Sequence, residues 1–463
     1  MKLVEYLDSL KGKRVAVIGA GISNTPLIEA LIEAGIDTTI CDKRTREGMG
    51  ELADRFERNT ACLKLGNDYL EKLNADVIFR TPGIMPWNDA LWEAAARGAE
   101  LTSEMEVFFD VCPCKIIAVT GSDGKTTTTT IISELLKKEG LTVHTGGNIG
   151  TPLLCQADNM LPNDIVVLEL SSFQLITMKK SPDIAVVTNV TPNHLDIHSS
   201  LDEYIEAKRS IYLYQKSDGK AVFNLDNDVT RKYSESAQGK VSFFSRSERV
   251  RNGVYSDNGK IFESIDGRSE EIISYSDIFL PGTHNIENIM AAFAAVSGLA
   301  GRMAMAETAK TFKGVAHRIE FVRELDGVRY YNDSIASSPT RAIAGLRAFD
   351  QKVILIAGGK DKGLEFDELG AEIVRHVKTL VLTGLTAEKI RSAVLSAPAY
   401  TGAPEIIIRG DFTDAVLTAA QSAGDGDVVI LSPACTSFDR FRNFEERGDT
   451  FKRIVNELVT RKK

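Results

Sequence analysis

Short runs of β-branched and aliphatic residues alternate with helix-forming stretches along almost the whole chain of 463 residues. The strand-like runs are residues 14–18, 38–41, 77–79, 116–120, 165–168, 184–188, 353–356, 379–382, 405–408 and 428–431. Between most of them lie stretches rich in Ala, Leu, Glu and Lys, such as 26–34 and 131–139. Strands that alternate with helices build βαβ units, which give mostly parallel sheets. The sequence therefore predicts an α/β protein.

Residues 219–280 depart from this alternation. They are rich in Gly, Asn and Ser, and Ser256-Asp257-Asn258-Gly259 is a turn signal between two short apolar runs. This composition predicts an antiparallel hairpin region. We place domain boundaries near residues 104 and 314, where a βα series ends and a new strand, 319–324, begins. The length fits three domains at about 150 residues each, which we set at 1–104, 105–314 and 315–463.

Charge and composition exclude several classes of protein. The chain has 55 Lys and Arg against 64 Asp and Glu, a net charge of −9, which disfavours nucleic acid and anionic membranes as partners. Its six cysteines are scattered and predict reduced thiols. The N-terminal stretch has no apolar signal region, and no apolar run approaches the ~20 residues of a membrane span. We expect a cytoplasmic enzyme.

The strongest local signal is the segment 116–126, in which a strand runs into Gly121-Ser122-Asp123-Gly124-Lys125-Thr126 and then into a helix. In such a loop backbone N–H groups converge on phosphate oxygens, and the helix N-terminus adds its positive end. Lys125 would neutralise the β- and γ-phosphates, and the Thr126 hydroxyl would bind Mg²⁺. The usual pattern has a glycine six residues before the lysine, where this chain has Val119, so the loop is a variant.

A second glycine pair, Gly19 and Gly21, follows the first strand and resembles the first turn of a Rossmann unit. Asn24 stands where the third glycine of that fingerprint would be. Asp42 ends the second strand, where a ribose-binding carboxylate would lie, and the cations Lys43 and Arg44 follow it. Two cations suit a phosphate or an acidic ligand. A tight βα turn without a ligand explains the glycines equally well.

Two further strands end in polar side chains. Glu169 ends the strand 165–168, and His194 and His198 follow the strand 184–188. The carboxyl ends of parallel strands meet at the edge where ligands bind, so the phosphate loop, Glu169 and His194 could together bind one or two Mg²⁺ ions. Because histidine is an uncommon Mg²⁺ ligand, a hydrogen-bonding role for His194 stays open. We interpret His198 as structural.

Loops near and beyond the second boundary add candidates. Residues 281–288 suit hydrogen bonding to a base or a phosphate, or alternatively a helix cap, and His317-Arg318 could reach a nucleotide. In the third domain, polar loops follow three strands at 331–339, 357–363 and 432–444. Loops at strand ends form one mouth in a parallel sheet. Their lysines and hydroxyls predict a pocket for a small anion such as a carboxylate.

These motifs, in this order over residues 14–455, resemble those of the ATP-dependent Mur ligases. The matching segments are 120–126, Gly147-Asn148-Ile149-Gly150, 169–174, His194-Leu195-Asp196, Gly282-Thr283-His284-Asn285, His317-Arg318, Asn332-Asp333-Ser334 and Ser432-Pro433-Ala434-Cys435. Within that family the chain resembles the type that adds D-glutamate to UDP-N-acetylmuramoyl-L-alanine, through its N-terminal glycine turn, residues 171–175 and the ending 432–448.

The resemblance implies a Rossmann-like UDP-sugar domain, a central ATPase domain and a Rossmann-like amino-acid domain. For the UDP-sugar it implies contacts from Ile22, Ser23, Lys43, Arg44, Gly83 and Asn148. For ATP it implies the loop Gly121, Ser122, Asp123, Gly124, Lys125, Thr126 and Thr127, with Asn285, Arg318 and Asp333. For D-glutamate it implies Ser337, Lys362, Ser437, Phe438 and Phe444. For metal it implies Thr126, Glu169, His194 and Lys208, with Lys125, His194 and Lys208 as catalytic residues.

The implied activity is amide ligation through an acyl phosphate, in the synthesis of a peptidoglycan precursor. It requires ATP and Mg²⁺, with Mn²⁺ as an alternative, and a carbamylated lysine at the position of Lys208. The implied partners are these small molecules, without nucleic acid or membrane, and we expect a monomer. Two positions of one segment depart from the family, because Ile335 stands where many members carry a lysine and Ser337 stands where they carry a threonine.

Two other functions remain open on the sequence alone. One is a ligase of the same fold that accepts another amino acid, such as the L-alanine or folylpolyglutamate type. The other is a nucleotide-switched binding protein that hydrolyses ATP slowly. A third interpretation, a dinucleotide-dependent oxidoreductase, is supported only by the imperfect glycine turn.

Overall fold

The computed structural model describes residues 1–59, 61–192, 197–280, 282–361 and 364–460. The chain divides into two compact units, Met1–Phe312 and Lys313–Lys463. The described residues form three sheets, of which the first two belong to the first unit and the third to the second unit. Within the described ranges, no helix combines the length and the apolar character that a membrane span requires.

The first sheet is parallel throughout and has the strand order β3-β2-β1-β4-β5. Its strands are β1 Arg14–Ile18, β2 Asp37–Asp42, β3 Cys62–Leu65, β4 Val77–Phe79 and β5 Glu100–Thr102. The helices of this part are α1 Leu3–Ser9, α2 Asn24–Glu33, α3 Arg46–Met49, α4 Glu51–Arg58, α5 Asp89–Ala96 and α6 Glu104–Val111. The order reverses direction beside β1, so the loop after β1 opens on the carboxyl edge where ligands bind in such sheets.

The second sheet has the order β14-β13-β12-β11-β10-β9-β6-β8-β7. Its strands are β6 Lys115–Thr120, β7 Val143–Gly147, β8 Ile165–Glu169, β9 Ile184–Val187, β10 Lys220–Asn224, β11 Lys240–Ser245, β12 Gly253–Asp257, β13 Lys260–Ile265 and β14 Arg268–Ser274. The helices are α7 Lys125–Lys138, α8 Ser172–Leu175, α9 Leu201–Leu213, α10 Asp228–Tyr233, α11 Thr283–Val296 and α12 Arg302–Thr311, with 3₁₀ turns at Leu154–Asn159, Ser234–Ser236 and Tyr275–Asp277.

The antiparallel part of this sheet is smaller than the sequence predicts. Only β12, β13 and β14 pair antiparallel, and Asn258-Gly259 makes the expected turn between β12 and β13 with positive φ at both residues. Strand β10 instead pairs parallel to β9, and β11 pairs parallel to β10, with α10 as the crossover between β10 and β11. The antiparallel prediction was therefore wrong for residues 219–252, because Asn227 caps a short helix between the two strands.

The third sheet has the order β15-β16-β20-β17-β18-β19, with only the β15–β16 hairpin antiparallel. Its strands are β15 Glu320–Leu325, β16 Val328–Asn332, β17 Val353–Ala357, β18 Val377–Leu382, β19 Glu405–Ile408 and β20 Val428–Leu431. The helices are α13 Pro339–Leu346, α14 Asp367–His376, α15 Ala387–Leu395, α16 Phe412–Ser422 and α17 Phe444–Glu457. Apolar cores cover both faces of this sheet.

The first two sheets share one apolar core. Leu3 and Tyr6 of α1 and Leu27 of α2 belong to the same buried cluster as Phe108 of α6 and Leu154 of the 3₁₀ turn. Burying such side chains contributes roughly 1.5–3 kcal/mol each. The seam, where the helices of the first sheet meet those of the second, is therefore stabilised in the same way as the interior of a domain. The continuity explains why residues 1–312 form one unit. The mostly parallel α/β class is observed, whereas the three-domain layout with a boundary near 104 stays a prediction.

Candidate active site

The topology of the second sheet brings several loops to one edge. Strand β6 lies between β8 and β9, and all three run parallel. The loops that follow them, 121–124, 170–171 and 188–192, therefore leave the sheet side by side. Residues Gly121 to Gly124 form the phosphate loop, and α7 begins directly after it at Lys125.

Glycines in the phosphate loop allow a close approach that other residues would prevent. Gly124 has a φ of 81°, and a Cβ there would lie 2.2 Å from Oδ1 of Asn288. A Cβ on Gly121 would lie 1.9 Å from the hydroxyl of Thr188. The Lys125 ammonium folds back over the loop and donates to the carbonyl of Gly121 at 2.9 Å. Because the N-cap position of α7 is a glycine, no side chain from it covers the helix N-terminus, which suits an anion.

Glu169 joins two of the predicted site residues. The Thr126 hydroxyl donates to its Oε2 at 2.7 Å, and the Asn148 amide donates to its Oε1 at 2.8 Å. Glu169 is buried at the end of β8. Gly147 makes this packing close, since a Cβ there would lie 2.2 Å from the backbone carbonyl oxygen of Glu169. Three strands and a helix thus place a hydroxyl, a carboxylate and an amide together.

This donor set fits Mg²⁺. The Thr126 hydroxyl and the Glu169 carboxylate are oxygen ligands in contact with each other beside the phosphate loop. The described residues contain no group of three or more His, Cys, Asp or Glu arranged to hold a metal. A Mg²⁺ ion typically takes one or two protein oxygens and completes its shell with phosphate oxygens and water. His194, the other predicted ligand, lies outside the described residues.

Lys208 lies beneath the phosphate loop. Its side chain is 1% exposed, and its ammonium donates to the carbonyl of Gly121 at 2.9 Å. The ammonium also lies 4.5 Å from the ring centroid of Tyr204, one turn earlier in α9, and the Tyr204 hydroxyl hydrogen-bonds Ser122. Burial, together with the nearby Lys125 ammonium, holds the pKa of Lys208 well below its usual range. Burial and a neighbouring positive charge both favour the neutral, deprotonated form of a lysine.

His198 is a buried, fully partnered side chain. Its Nε2 hydrogen-bonds Ser172 at 2.9 Å and its Nδ1 hydrogen-bonds Glu203 at 2.8 Å. Its ring stacks on Phe173 with centroids 5.0 Å apart. These contacts join α8, which follows Glu169 in the chain, to the start of α9, which carries Lys208. The geometry is that of a structural histidine.

Helix α11 packs against α7 beside the loop. Asn288 is buried under Gly124, and Asn285 lies three residues earlier on the same face of the helix. Asn285 is therefore directed to the same edge as the phosphate loop. Thr127 is half-buried in the first turn of α7. The first turn of α11 thus carries an amide on the face of the helix that also carries Asn288.

In the first sheet, Asp42 is engaged differently from a ribose-binding carboxylate. It accepts hydrogen bonds from the backbone N–H of Ala20 at 2.8 Å and from the Arg44 guanidinium at 2.8 and 2.9 Å. Burial raises the pKa of Asp42, but the Arg44 guanidinium and the backbone N–H groups outweigh it and lower the pKa to about 2. Arg44 also donates to the carbonyl of Ala20 at 2.8 Å. The pair therefore fixes the shape of the glycine turn.

The predicted UDP contacts surround this turn. Ile22, Ser23, Lys43 and Gly83 are exposed at the carboxyl edge of the sheet, and Ile22 is 84% exposed. Asn24, in the position of the missing third glycine, is buried and donates its amide to the carbonyls of Ile18 and Gly19. The amide therefore ties α2 to the end of β1.

In the second unit, Asp333 is buried at the end of β16. Its Oδ2 accepts the hydroxyl of Ser432 at 2.7 Å and its Oδ1 accepts the N–H of Ile319 at 3.3 Å. Burial raises the pKa of Asp333 to about 7. His317 and Ile319 both have positive φ, 63° and 44°, on either side of Arg318. Such backbone is strained in residues other than glycine, and this strain presents Arg318 next to the Asp333 loop.

The loops after β16 and β20 are joined by Arg447. Its guanidinium donates to the hydroxyl and the carbonyl of Ser334 at 3.0 and 2.9 Å and to the carbonyl of Cys435 at 3.1 Å. Ser337 and Cys435 line a narrow crevice that has no room for a water molecule. Ser437 is buried beyond Cys435. Of the other residues predicted to hold an amino acid, Phe438 is 62% exposed, Phe444 is half-buried at the start of α17, and Lys362 lies outside the described residues.

The structure thus brings Gly121, Lys125, Thr126, Glu169, Asn148 and Lys208 together in the first unit. The sequence placed Asn288 in a segment suited to a base or a phosphate, but it assigned no role to Tyr204 or Arg447. Tyr204 could have been found, because it precedes Lys208 by one helical turn. No sequence signal identifies the contacts of Asn288 and Arg447, since both depend on which loops meet in space.

Comparison with known families agrees with this arrangement. Residues 119–296 match the Mur ligase middle domain, and residues 317–435 match the Mur ligase glutamate ligase domain. The first match contains the phosphate loop, Glu169, Lys208 and Asn288. The second contains Asp333 and the first residues of the loop after β20, up to Cys435.

Full-length relatives and solved structures extend the comparison. The chain is 49% identical over 461 residues to the UDP-N-acetylmuramoylalanine--D-glutamate ligase of Ruminiclostridium cellulolyticum, covering 99% of each chain. It is 50% identical over 463 residues to the same ligase of Acetivibrio thermocellus, again covering 99% of each. The MurF ligase of Thermotoga maritima, solved in complex with ADP, has a similar fold, with a TM-score of 0.51, 20% identity and coverage of 91% of this chain and 95% of that one. On this evidence the chain belongs to the Mur ligase family, among its UDP-N-acetylmuramoylalanine--D-glutamate ligases.

Proposed function

We propose that this chain joins D-glutamate to UDP-N-acetylmuramoyl-L-alanine with the consumption of ATP, a step in making a peptidoglycan precursor. The observation that carries the proposal is the identity of 49% over 99% of the chain to relatives of that name. The phosphate loop, Lys125 and the Thr126–Glu169 pair support a nucleotide-dependent reaction. An ADP complex in a protein of similar fold supports ATP as the nucleotide.

The reaction has two chemical steps. A carboxylate oxygen of the alanyl group attacks the γ-phosphorus of ATP, the bond to the ADP oxygen breaks, and an acyl phosphate forms. The amine of D-glutamate then attacks the acyl carbon, and the tetrahedral adduct expels phosphate as the amide forms and the amine loses its protons. Lys125 and the loop N–H groups stabilise the charge on the transferring phosphoryl group. The proposal assigns Asn285, Arg318 and Asp333 to the nucleotide as well.

Thr126 and Glu169 would hold Mg²⁺, which supplies electrostatic stabilisation of the phosphates when bound. His194 stays a predicted metal or substrate contact. Lys208 is proposed to be carbamylated, which would turn a buried amine into an oxygen donor. Its lowered pKa supports this, because only a neutral amine reacts with carbon dioxide. Mn²⁺ is an alternative to Mg²⁺.

The remaining substrate contacts are proposals of the same kind. Ile22, Ser23, Lys43, Arg44 and Gly83 are assigned to the UDP group and Asn148 to the sugar-peptide part. Exposure of the first set at the carboxyl edge of β1, β2 and β4 supports this assignment. Ser337, Lys362, Ser437, Phe438 and Phe444 are assigned to D-glutamate. The assignment is supported by Arg447, which joins the loop of Ser337 to the loop of Ser437.

The experiment that tests the function is phosphate release from ATP with UDP-N-acetylmuramoyl-L-alanine. D-glutamate is compared with L-glutamate, with L-alanine and with no amino acid. Release that requires both the nucleotide sugar and D-glutamate, with the product identified by mass, is the expected result. Release with another amino acid would reassign the acceptor. Release without either substrate would instead favour a nucleotide-switched ATPase.

A further inference from the structure

Arg80 is a buried cation at the seam between the first two sheets. It follows β4 and is 3% exposed. One terminal nitrogen donates to the carbonyl of Ile84 at 2.7 Å. The other donates to the carbonyl of Phe173 at 3.0 Å and to the hydroxyl of Thr177 at 3.2 Å. Burial lowers the pKa of Arg80, and the charge of the nearby Glu106 carboxylate raises it. These hydrogen-bond acceptors are neutral, and a buried charge held by neutral groups is costly, so packing alone does not account for it.

On one side, Arg80 closes the loop of residues 81–84. That loop contains Gly83, and it lies directly against the glycine turn after β1, since a Cβ on Gly19 would be 3.3 Å from the Thr81 methyl group. The loop is therefore part of the carboxyl edge at which the proposed UDP contacts lie. The bond from Arg80 to Ile84 spans the loop from its beginning to its end.

On the other side, Arg80 holds the segment that follows Glu169. Phe173 belongs to α8, which is fixed by a capping box between Ser171 and Gln174. The stacking of Phe173 on His198 fixes α8 from the side as well. Glu169 lies only four residues before Phe173. One guanidinium thus joins the edge of the first sheet to the segment beside the phosphate loop of the second.

We propose that Arg80 is a positioning residue, which holds the loop 81–84 in register with the segment that carries Glu169. The inference rests on the proposed function, in which the nucleotide end of the substrate binds the first sheet and its carboxylate reacts beside Glu169. Both ends must then be held at a fixed separation. Small displacements of a reacting group have large effects on rate and binding.

The test compares steady-state kinetics of the wild type with Arg80→Met and Arg80→Lys. In Arg80→Met, we expect KM for UDP-N-acetylmuramoyl-L-alanine to rise by about tenfold or more, because the loop 81–84, with its proposed UDP contact at Gly83, is no longer held in place. We expect KM for ATP to stay within about twofold, because the phosphate loop keeps its contacts. Arg80→Lys retains the charge, but lysine reaches only one side of the seam. Its KM for UDP-N-acetylmuramoyl-L-alanine should therefore lie between that of the wild type and that of Arg80→Met.

Asp158→Asn is the matched control. The Asp158 carboxylate accepts the N–H groups of Leu3 and Val4 at 2.8 and 3.3 Å, so it also joins α1 to the second part of the unit, away from the loop 81–84. The Asp158→Asn variant should have a lower melting temperature than the wild type, with unchanged KM for UDP-N-acetylmuramoyl-L-alanine and for ATP. If Arg80→Met does not fold, the KM of Arg80→Lys for UDP-N-acetylmuramoyl-L-alanine decides whether Arg80 has a positioning role.

Two outcomes would overturn the inference. If the wild type is active and both Arg80 variants keep its KM while losing only stability, as Asp158→Asn does, then Arg80 has a structural role alone. If the wild type shows no turnover that depends on both substrates, the proposed function fails and this inference fails with it. Activity of the wild type in the same assay distinguishes the two.

Discussion

The ammonium of Lys208 lies 2.9 Å from the carbonyl oxygen of Gly121, the first residue of the phosphate loop. A lysine from α9 therefore supports the loop from below, while Lys125 donates to the same carbonyl at 2.9 Å. Two cations on one carbonyl in a buried place repel each other, and this favours the neutral form of the more buried one. The arrangement makes Lys208 the residue whose chemical state most affects the site.

Replacing Lys208 with alanine should reduce turnover by a factor of about 1,000, the size of effect expected when a group that stabilises the transition state is lost. If the side chain acts as a carbamate, added short-chain carboxylic acids should restore part of the activity, because they supply the missing oxygens. The direct measurement is a carbamate carbon signal by NMR after exposure of the wild type to ¹³C-labelled bicarbonate, absent from the variant.

Lys216→Ala, at an exposed lysine just beyond α9, is the control and should keep full activity with no effect of added acids. An active Lys208→Ala variant, or one that no carboxylic acid restores, would show that no carbamate acts here.

Gly124→Ala should reduce ATP turnover by more than about 100-fold, the usual consequence of moving a phosphate-binding group by about an ångström. The new Cβ would lie 2.2 Å from Oδ1 of Asn288, which is buried on α11, the helix that packs against α7. Gly140→Ala is the matched control, because Gly140 has a φ of 82°, close to the 81° of Gly124, but no atom within 4 Å of the added Cβ.

Both variants carry the same backbone strain, about 1 kcal/mol, so a difference in phosphate release measures the contact alone. Equal activities in the two variants would mean that the loop moves freely away from Asn288, and the proposed cradle would be wrong.

Glu104 gives a prediction about pH. Its carboxyl group is buried in the seam between the first two sheets, where it accepts the N–H of Leu154 at 3.3 Å, and burial raises its pKa to about 7. The folded protein therefore binds this proton more tightly than the unfolded chain. The resulting stability is fully present below about pH 4 and is lost as pH rises through about 7.

Glu104→Gln keeps the acceptor for Leu154 but removes the charge. At pH 8 its free energy of unfolding should exceed that of the wild type by up to about 3 kcal/mol, whereas near pH 4 the two should agree. Urea unfolding at both pH values measures this. Glu93→Gln, an exposed position on α5, should show no such difference. A variant that is less stable than the wild type at pH 8 would mean that the charge is compensated.

The alternation of strands and helices predicted most of the fold because each strand is short, buried and bounded by turn residues. The predictions for 14–18, 77–79 and 428–431 coincide with β1, β4 and β20. Residues 219–252 were assigned wrongly because polar composition does not distinguish a hairpin from a βαβ unit with a short helix. Pairing direction is decided by the crossover, here α10, and that depends on the cap at Asn227.

The residues of the candidate site also fall into those that the sequence predicts and those that it does not. Lys125, Thr126 and Glu169 could be predicted because each lies at the end of an element whose position follows from the pattern. Asp42 was harder, since its position fitted a ligand carboxylate but its partner is Arg44, two residues later. Contacts such as those of Arg80 with Phe173, 93 residues apart, depend on tertiary packing and leave no periodic signal in the sequence.

Arg447→Lys should raise KM for D-glutamate by about tenfold or more, because the two loops that carry proposed contacts to it are no longer held together. The Arg447 guanidinium donates to Ser334 and to the carbonyl of Cys435, and so holds together the loops that carry Ser337 and Ser437. Burial lowers the pKa of Arg447 to about 10, so it stays charged at neutral pH. Lysine keeps the charge but cannot donate to both loops at once.

KM for UDP-N-acetylmuramoyl-L-alanine should stay unchanged, because its proposed contacts belong to the first unit. Arg453→Lys is the matched control on the same helix, where the exposed guanidinium pairs with Glu457 one turn later and touches neither loop. Steady-state kinetics with each substrate varied in turn separates the two roles. If Arg447→Lys loses kcat and melting temperature together while KM for D-glutamate is constant, then the guanidinium stabilises the second unit without shaping the amino-acid pocket.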